Sequence, residues 1–388
     1  MLKVSRETII YICLFVSQVP ILLAMNRIGY YILLSVSTFI AGYLAIKASQ
    51  GFLLKVFFSF FLVSTFGLAS YLSIMGEYQI KHSFYQVLII HYSSVLQYFF
   101  FAFIFICIYD LVNDEEQLIS CLLRVLFIVS ASRFVNIYFF NDVQGDDGRY
   151  YLGFYLAIFI PLAIFFVFKL RNLESFMVLF FLVAITYYCF SIYLHRSVVV
   201  ILPLVVFVWG LMNVSVKKAV FLSFAIVISL YCLPFLIGAF DESYLFRLNY
   251  LLDFNFTDNS SSERIHRYIE IIELLIRNPY SLLFGYSLGA SETLTKFIGS
   301  HSALLGFFYD AGLVSVVGFF ILIILPILKY PFRTNFTCML KAYVVSILIF
   351  STFYYAPIFP VSEIKVLDFS VVVSVLLGGL YGLQRKSL

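Results

Sequence analysis

The sequence predicts an all-α polytopic membrane protein with about twelve transmembrane helices and one large outward-facing, periplasmic loop that contains an amphipathic helix. Three observations predict it. Hydrophobic residues make up 63% of the 388 and charged residues only 12%, and a mean hydropathy of +1.01 leaves too little polar surface to cover a water-facing exterior. Apolar stretches of roughly 20 residues, the length that crosses a bilayer, recur along the chain. One long polar interruption, 239–302, falls between the ninth and tenth of them. A single integral membrane domain over 1–388 is therefore expected, with the loop 239–302 inside it.

Taken in order, the expected helices fall at 8–25, 28–46, 53–75, 84–109, 118–140, 150–168, 174–194, 197–213, 218–238, 303–328, 338–356 and 366–383. The first follows a short segment carrying Lys3 and Arg6. No small-x-small cleavage site comes after it and many further spans do, so it reads as a helix that is kept rather than a signal peptide. The six cysteines, at 13, 107, 121, 189, 232 and 338, lie in apolar segments or beside short basic loops. They imply neither a disulfide framework nor a metal site, and no cofactor is expected.

Lysine and arginine set the orientation. With the N-terminal end in the cytoplasm, one set of loops carries Lys47, Lys55, Lys169, Arg171, Lys217, Lys218, Lys329, Arg333, Lys341, Arg385 and Lys386. The alternate loops hold Glu77, Asp142, Asp146, Asp147, Asp241, Glu242, Asp253 and Asp258. Both termini then come out cytoplasmic, and 239–302 faces outward. The formal net charge of +4, with no basic tail, gives no sign of a nucleic-acid partner. The outward side keeps Arg149, Arg196, Arg247, Arg264, Arg267 and Arg277. An arginine there either anchors at the headgroups or presents its planar fork of donors to a phosphate.

The stretch Ser260 to Gly318 holds the residues most suited to chemistry. Ser260 and Glu263 fit a capping box, and a helix is expected from about Ser261 to Asn278, where Pro279 ends it. Glu263, His266, Arg267, Glu270, Glu273 and Arg277 form a polar stripe at three- and four-residue steps. Ile265, Tyr268, Ile269, Ile272 and Ile276 form the opposing apolar face, as in a helix lying on a membrane surface. Arg264 and Arg267 stand on its first turns, where free N–H groups and the helix dipole favour an anion. The same residues also fit a surface helix paired with itself, Glu263 to Arg267 and Glu273 to Arg277. His301 stands at the mouth of the next apolar helix, in reach of general-base work near neutral pH, or as an interfacial polar residue. Arg196, in the short break Tyr193-Leu194-His195-Arg196-Ser197, has almost no loop to occupy, and a charge held at a membrane boundary is usually functional. The turn NDVQGDDGRYY (141–151), with Arg149, offers too few oxygens for a divalent cation and is suited at most to sugar contact.

The order of these features resembles the O-antigen polymerase and O-antigen ligase superfamily. They are the Arg-Ser break at Arg196, the large outward loop, and His301-Ser-Ala-Leu-Leu with Gly312 eleven residues past the histidine. Arg264-x3-Tyr268, Asn278-Pro279 and the run Leu282-Leu283-Phe284-Gly285-Tyr286-Ser287-Leu288-Gly289 resemble the loop signature of that family. The likeness covers about a third of the chain. His195 stands where the family has Ser, Ser315 where it often has Gly, and Tyr268 where it often has Trp.

The resemblance implies a metal-independent glycosyltransferase of the bacterial inner (plasma) membrane. Its donor and acceptor would be oligosaccharide repeat units linked to undecaprenyl pyrophosphate, and a chain-length regulator would be a further partner. Carried onto this chain, Arg196 and Arg264 become pyrophosphate ligands and His301 the candidate base, with Arg267, Tyr268, Tyr286 and Arg149 as substrate-binding residues. The leading reading is a polymerase of repeat units in O-antigen, or lipopolysaccharide, biosynthesis. The alternative within the superfamily is a ligase acting on lipid A-core. From other classes come a repeat-unit flippase or transporter and an assembly scaffold. Transporters of this size usually show internal repeats and mid-span ionisable residues, whereas here the halves do not repeat and Arg133 is the one clear mid-span charge.

Overall fold

The computed structural model describes residues 5–22, 27–48, 84–140, 154–191, 196–213, 216–237, 259–286, 290, 303–329, 334–353 and 367–387. Among the described residues all regular structure is helical. The thirteen α-helices are α1 (Arg6–Leu22), α2 (Arg27–Lys47), α3 (Phe84–Leu111), α4 (Glu115–Val135), α5 (Ile160–Leu170), α6 (Leu173–Ser191), α7 (Arg196–Asn213), α8 (Val216–Ile237), α9 (Asn259–Arg277), α10 (Pro279–Phe284), α11 (Ala303–Lys329), α12 (Asn335–Phe353) and α13 (Leu367–Ser387). Eleven of the twelve expected apolar segments are helical within a few residues of the expected ends, while 53–75 lies outside the described residues. Two stretches, His91–Leu111 and Glu115–Phe139, are long and apolar enough to cross a membrane by length and composition.

Two local differences have physical causes. The segment expected as a helix over 150–168 opens as a 3-10 helix, Phe154–Phe159, and relaxes to α only at Ile160, with Pro161 in its first turn. A proline is tolerated in a first turn because its missing N–H has no partner to lose there. After Val135, α4 continues as a π-helical turn, Asn136–Phe140.

The chain divides into two compact units. The first takes Met1–Val129, Glu263–Pro331 and Ser351–Leu388, and the second Ser130–Ser262 and Phe332–Phe350. In the first unit α3 and α13 run side by side, and the reason is legible in α13. Ser374, Gly378 and Gly382 recur every four residues, so they line one ridge with almost no side chain on it. A methyl group on Gly378 would lie 2.6 Å from the Phe105 carbonyl oxygen, and one on Gly382 would lie 2.8 Å from that of Val112. The Ser374 hydroxyl donates to the Phe101 carbonyl at 2.9 Å. Small residues at this spacing let helices approach to backbone contact, which in lipid replaces the missing hydrophobic drive between helices.

One end of this unit is held by charge. Arg6 pairs with Asp110 and donates to the Leu44 carbonyl at 3.2 Å. Arg385 approaches the same carboxylate at 3.7 Å and donates to the Asn113 side chain at 3.4 Å. Beside them Arg124 pairs with Glu7 at 2.7 Å. The start of α1, the ends of α2, α3 and α13, and the first turns of α4 therefore meet in one polar cluster.

In the second unit α12 serves as the central strut. The Leu162 N–H, at the start of α5, donates to the Tyr343 hydroxyl at 2.8 Å, and that ring stacks on Phe159. Phe336 stacks on Phe165 one level away. In α7, Pro203 sits inside the helix, where its ring leaves a carbonyl of the preceding turn without its usual donor. The Ser223 hydroxyl of α8 donates to the Pro203 carbonyl at 3.2 Å, fastening α8 at this point.

Two outcomes follow. Gly378→Leu should lower the thermal midpoint of the detergent-solubilised protein by an amount equivalent to about 3 kcal/mol, the scale of an overpacked core, while Leu at the exposed Phe221 leaves it unchanged. Arg6→Ala and Arg385→Ala should each cost about 1 kcal/mol, and the double variant should cost more than their sum, because Asp110 keeps one guanidinium in either single variant and neither in the double.

Candidate functional site

Helix α9 ends where its sequence turns to Asn278-Pro279. Proline pushes the residue before it out of the helical region, and Asn278 is extended, with φ −130° and ψ 113°. Its side-chain oxygen then accepts the Tyr280 N–H at 2.9 Å, so the residue that closes α9 also caps α10, with Pro279 in the first turn. Pro279 is thus a start as well as a stop. At the other end α9 begins at Asn259, one residue ahead of the expected Ser260 cap.

Ile269, Ile272 and Ile276, expected on the apolar face of a helix lying on a membrane surface, are exposed, and a second apolar set that the sequence reading did not single out, Ile271, Leu274 and Leu275, is buried. The helix has two apolar sides. One carries the buried cluster with Tyr286, Ala290 and Tyr309, and the other is left outward. An exposed isoleucine stripe suits a helix resting on a membrane surface. Register then fixes where the arginines stand. Arg264 lies seven residues before Ile271, and Arg267 lies four before Ile271 and seven before Leu274. At 3.6 residues per turn both occupy positions of the buried face. Tyr268 is half-buried, while His266, Glu273 and Arg277 are exposed.

The joint between α9 and α11 is Tyr286. It is only 2% exposed. Its hydroxyl donates to the Leu274 carbonyl at 2.8 Å, its N–H donates to the Tyr309 carbonyl at 2.9 Å, and its ring lies 4.8 Å from that of Tyr309. Tyr286, expected to bind substrate, therefore holds the loop helix to the helix that starts two residues after His301.

Two glycines make this joint possible. Gly285 has φ 73° and Gly312 φ 72°, a region that side chains disfavour. A methyl group on Gly285 would overlap the Asp310 carbonyl, and one on Gly312 would overlap the Leu283 carbonyl. Here α10 and α11 cross backbone against backbone, and α11, expected to be continuous over 303–328, is broken at Gly312. Asp310, on the turn before the break, is 4% exposed. It is the nearest described carboxylate in sequence to the start of α11. The sequence signal for it was its place two residues before Gly312, inside the motif that begins at His301.

The remaining expected residues are distributed as follows. Arg196 is the first residue of α7 and belongs to the second unit, whereas Arg264, Arg267, Tyr268 and Tyr286 belong to the first. His301 and Arg149 lie outside the described residues, as does His195. Among the described residues no cluster of three His, Cys, Asp or Glu side chains is arranged to hold a metal ion. The chain matches no family model, no curated protein and no solved structure.

Gly312→Ala and Gly285→Ala should each prevent the crossing and yield protein that is degraded or aggregates on extraction. Tyr286→Phe removes one buried hydrogen bond and should cost about 1 kcal/mol in thermal unfolding. Alanine at Gly318, a helical position further along α11, should be tolerated.

Proposed function

We propose that this chain is a polytopic inner-membrane glycosyltransferase that joins oligosaccharide repeat units carried on undecaprenyl pyrophosphate at the periplasmic face, as an O-antigen-type polymerase. The observation that carries the reading is the joint at Tyr286. It ties the buried face of α9, on which Arg264 and Arg267 stand by register, to the helix that follows His301. Support for the twelve-span topology comes from the first unit, where Arg6 at the start of α1 and Arg385 near the end of α13 share Asp110. First and last helices with their outer ends together are what an even number of crossings requires.

The chemistry demands little else of the protein. The donor sugar is already activated, since its anomeric carbon bears a pyrophosphate. An acceptor hydroxyl attacks that carbon, a new glycosidic bond forms, and the carbon–oxygen bond to pyrophosphate breaks with its electron pair leaving on the phosphate. Arg264 holds and neutralises that departing charge, the main electrostatic task of the step, and the resemblance assigns Arg196 the same task. His301 takes the proton from the attacking hydroxyl. Arginine suits this work better than lysine because its fork meets two phosphate oxygens at once.

The test uses isolated membranes supplied with lipid-linked repeat units. Long lipid-linked chains should form without any lipid A-core acceptor. Arg196→Gln, Arg264→Gln and His301→Ala should each reduce chain growth about 100-fold or more, while single repeat units still reach the outer face. Transfer only onto lipid A-core would make the protein a ligase. Repeat units held on the cytoplasmic side would make it a transporter, and wild-type growth in all three variants would make it a scaffold.

A further inference from the structure

The exposed isoleucines of α9 do not stop where that helix stops. Ile269, Ile272 and Ile276 follow one another at three- and four-residue steps, and beyond the Asn278-Pro279 corner Tyr280 and Leu283 stand exposed on α10. The Leu283 carbonyl is the group pressed against Gly312, so the same surface meets α11 at its break. None of the described side chains of α11 ahead of Gly312 is exposed, whereas Leu313, Val314, Val317 and Ile321 beyond it are. All of these residues belong to the first unit. The break in α11 is therefore also a border. On one side of it the helix is enclosed by protein, and on the other it has a bare apolar side.

Helix α9 has three sides, and they limit what can lie against it. At about 100° per residue, His266, Glu273 and Arg277 fall roughly 60–100° round the helix from Ile276, between the isoleucines and the buried face of Ile271 and Leu274. A helix sunk in hydrocarbon has no side for three ionisable residues, and one immersed in water gains nothing from exposed isoleucines. A helix at the boundary has a place for both.

Length sets the level. Seventeen residues separate Gly312 from Lys329, where α11 ends. At 1.5 Å per residue that is about 26 Å, against a hydrocarbon layer about 30 Å thick. With Lys329 at the cytoplasmic margin, the crossing of α10 over α11 falls near the outer one. Tyr280 suits that level. Its ring lies 4.9 Å from that of Phe284, and its hydroxyl is a polar tip for the headgroup region.

We propose that the exposed sides of α9, of α10 and of α11 beyond Gly312 form one continuous surface for bilayer lipid, with α10 and the end of α9 seated in the outer leaflet where headgroups meet acyl chains. This rests on the membrane topology of the preceding section and not on the reaction. Lipid then holds α9 from one side while the Tyr286 joint holds it from another. The helix that carries Arg264 and Arg267 is fixed against both protein and membrane.

The test reads tryptophan fluorescence from the full chain in phosphatidylcholine vesicles. Trp209, the one tryptophan, is changed to Phe, and Ile276→Trp, Leu283→Trp and Phe39→Trp are made singly in that background. Phe39 is 78% exposed and well inside α2. The lipid carries bromine on a shallow or a deep acyl carbon, and each variant is also read with iodide, which stays in water. Ile276→Trp and Leu283→Trp should be quenched at least twofold more by shallow bromine than by deep bromine, and little by iodide. Phe39→Trp should show the reverse preference between the bromines. Bromine quenching of Phe39→Trp alone overturns the proposal and leaves the topology standing. Iodide quenching at the other two positions then puts their face in water, and protection from both quenchers puts it under protein, a second copy of this chain included. Deep bromine as effective as shallow at Ile276→Trp and Leu283→Trp overturns the level assigned to α10. Absence of bromine quenching at all three positions overturns the topology, and the proposal with it.

Discussion

Where α10 and α11 cross, two backbones touch with no side chain between them, and much of the first unit follows from that contact. Gly312 takes a conformation that ends one helical run and starts another, so α11 is two rods rather than one. Gly285, facing it, turns the chain so that Tyr286 reaches the Tyr309 carbonyl on one side and the Leu274 carbonyl on the other. Those two hydrogen bonds orient α9. Once Leu274 and Ile271 face inward, helical register puts Arg264 and Arg267 on the same side and leaves Ile269, Ile272 and Ile276 outward. The facing of α9 thus descends from two positions that have no side chain at all.

The same unit uses two other kinds of adhesion, suited to different depths. Along α3 and α13 the ridge Ser374-Gly378-Gly382 brings backbones close enough for dispersion and a direct hydroxyl–carbonyl bond, which work where neighbouring lipid is as apolar as the protein. At the helix ends, Asp110 joins Arg6 and Arg385, a pairing that works where water still reaches the charges and their desolvation costs little. The second unit relies instead on aromatic stacking around Tyr343 and on a serine hydroxyl of α8 that reaches a carbonyl of α7.

Most of the helix inventory was legible in the sequence, because apolar length alone dictates it when backbone polar groups must bond within the helix. Pro279, Asn278 and the charged stripe also marked α9 correctly. The isoleucine face of α9 was legible as a stripe opposite the charged one, whereas the buried face of Ile271, Leu274 and Leu275 was not, because Glu270 and Glu273 stand beside it in the sequence. Gly312 looked like a family marker at a fixed distance from His301, and its physical reason, a carbonyl of another helix pressed against it, needed coordinates. Tyr286 likewise looked like a site residue because of the glycines around it, and its bonds within the fold became visible only in three dimensions. The ridge in α13 was available in the sequence as a four-residue repeat of small residues.

The chain order of the two units bears on how the protein is made. The first unit draws on three separate stretches, and α13, which fills the groove along α3 and brings Arg385 to Asp110, leaves the ribosome after nearly everything else. Until then α3 presents the Phe101, Phe105 and Val112 carbonyls to whatever lies beside it, and Asp110 has Arg6 but not Arg385. The second unit has no such wait beyond α12. Both units therefore wait on a late helix, the second on its strut α12 and the first on α13.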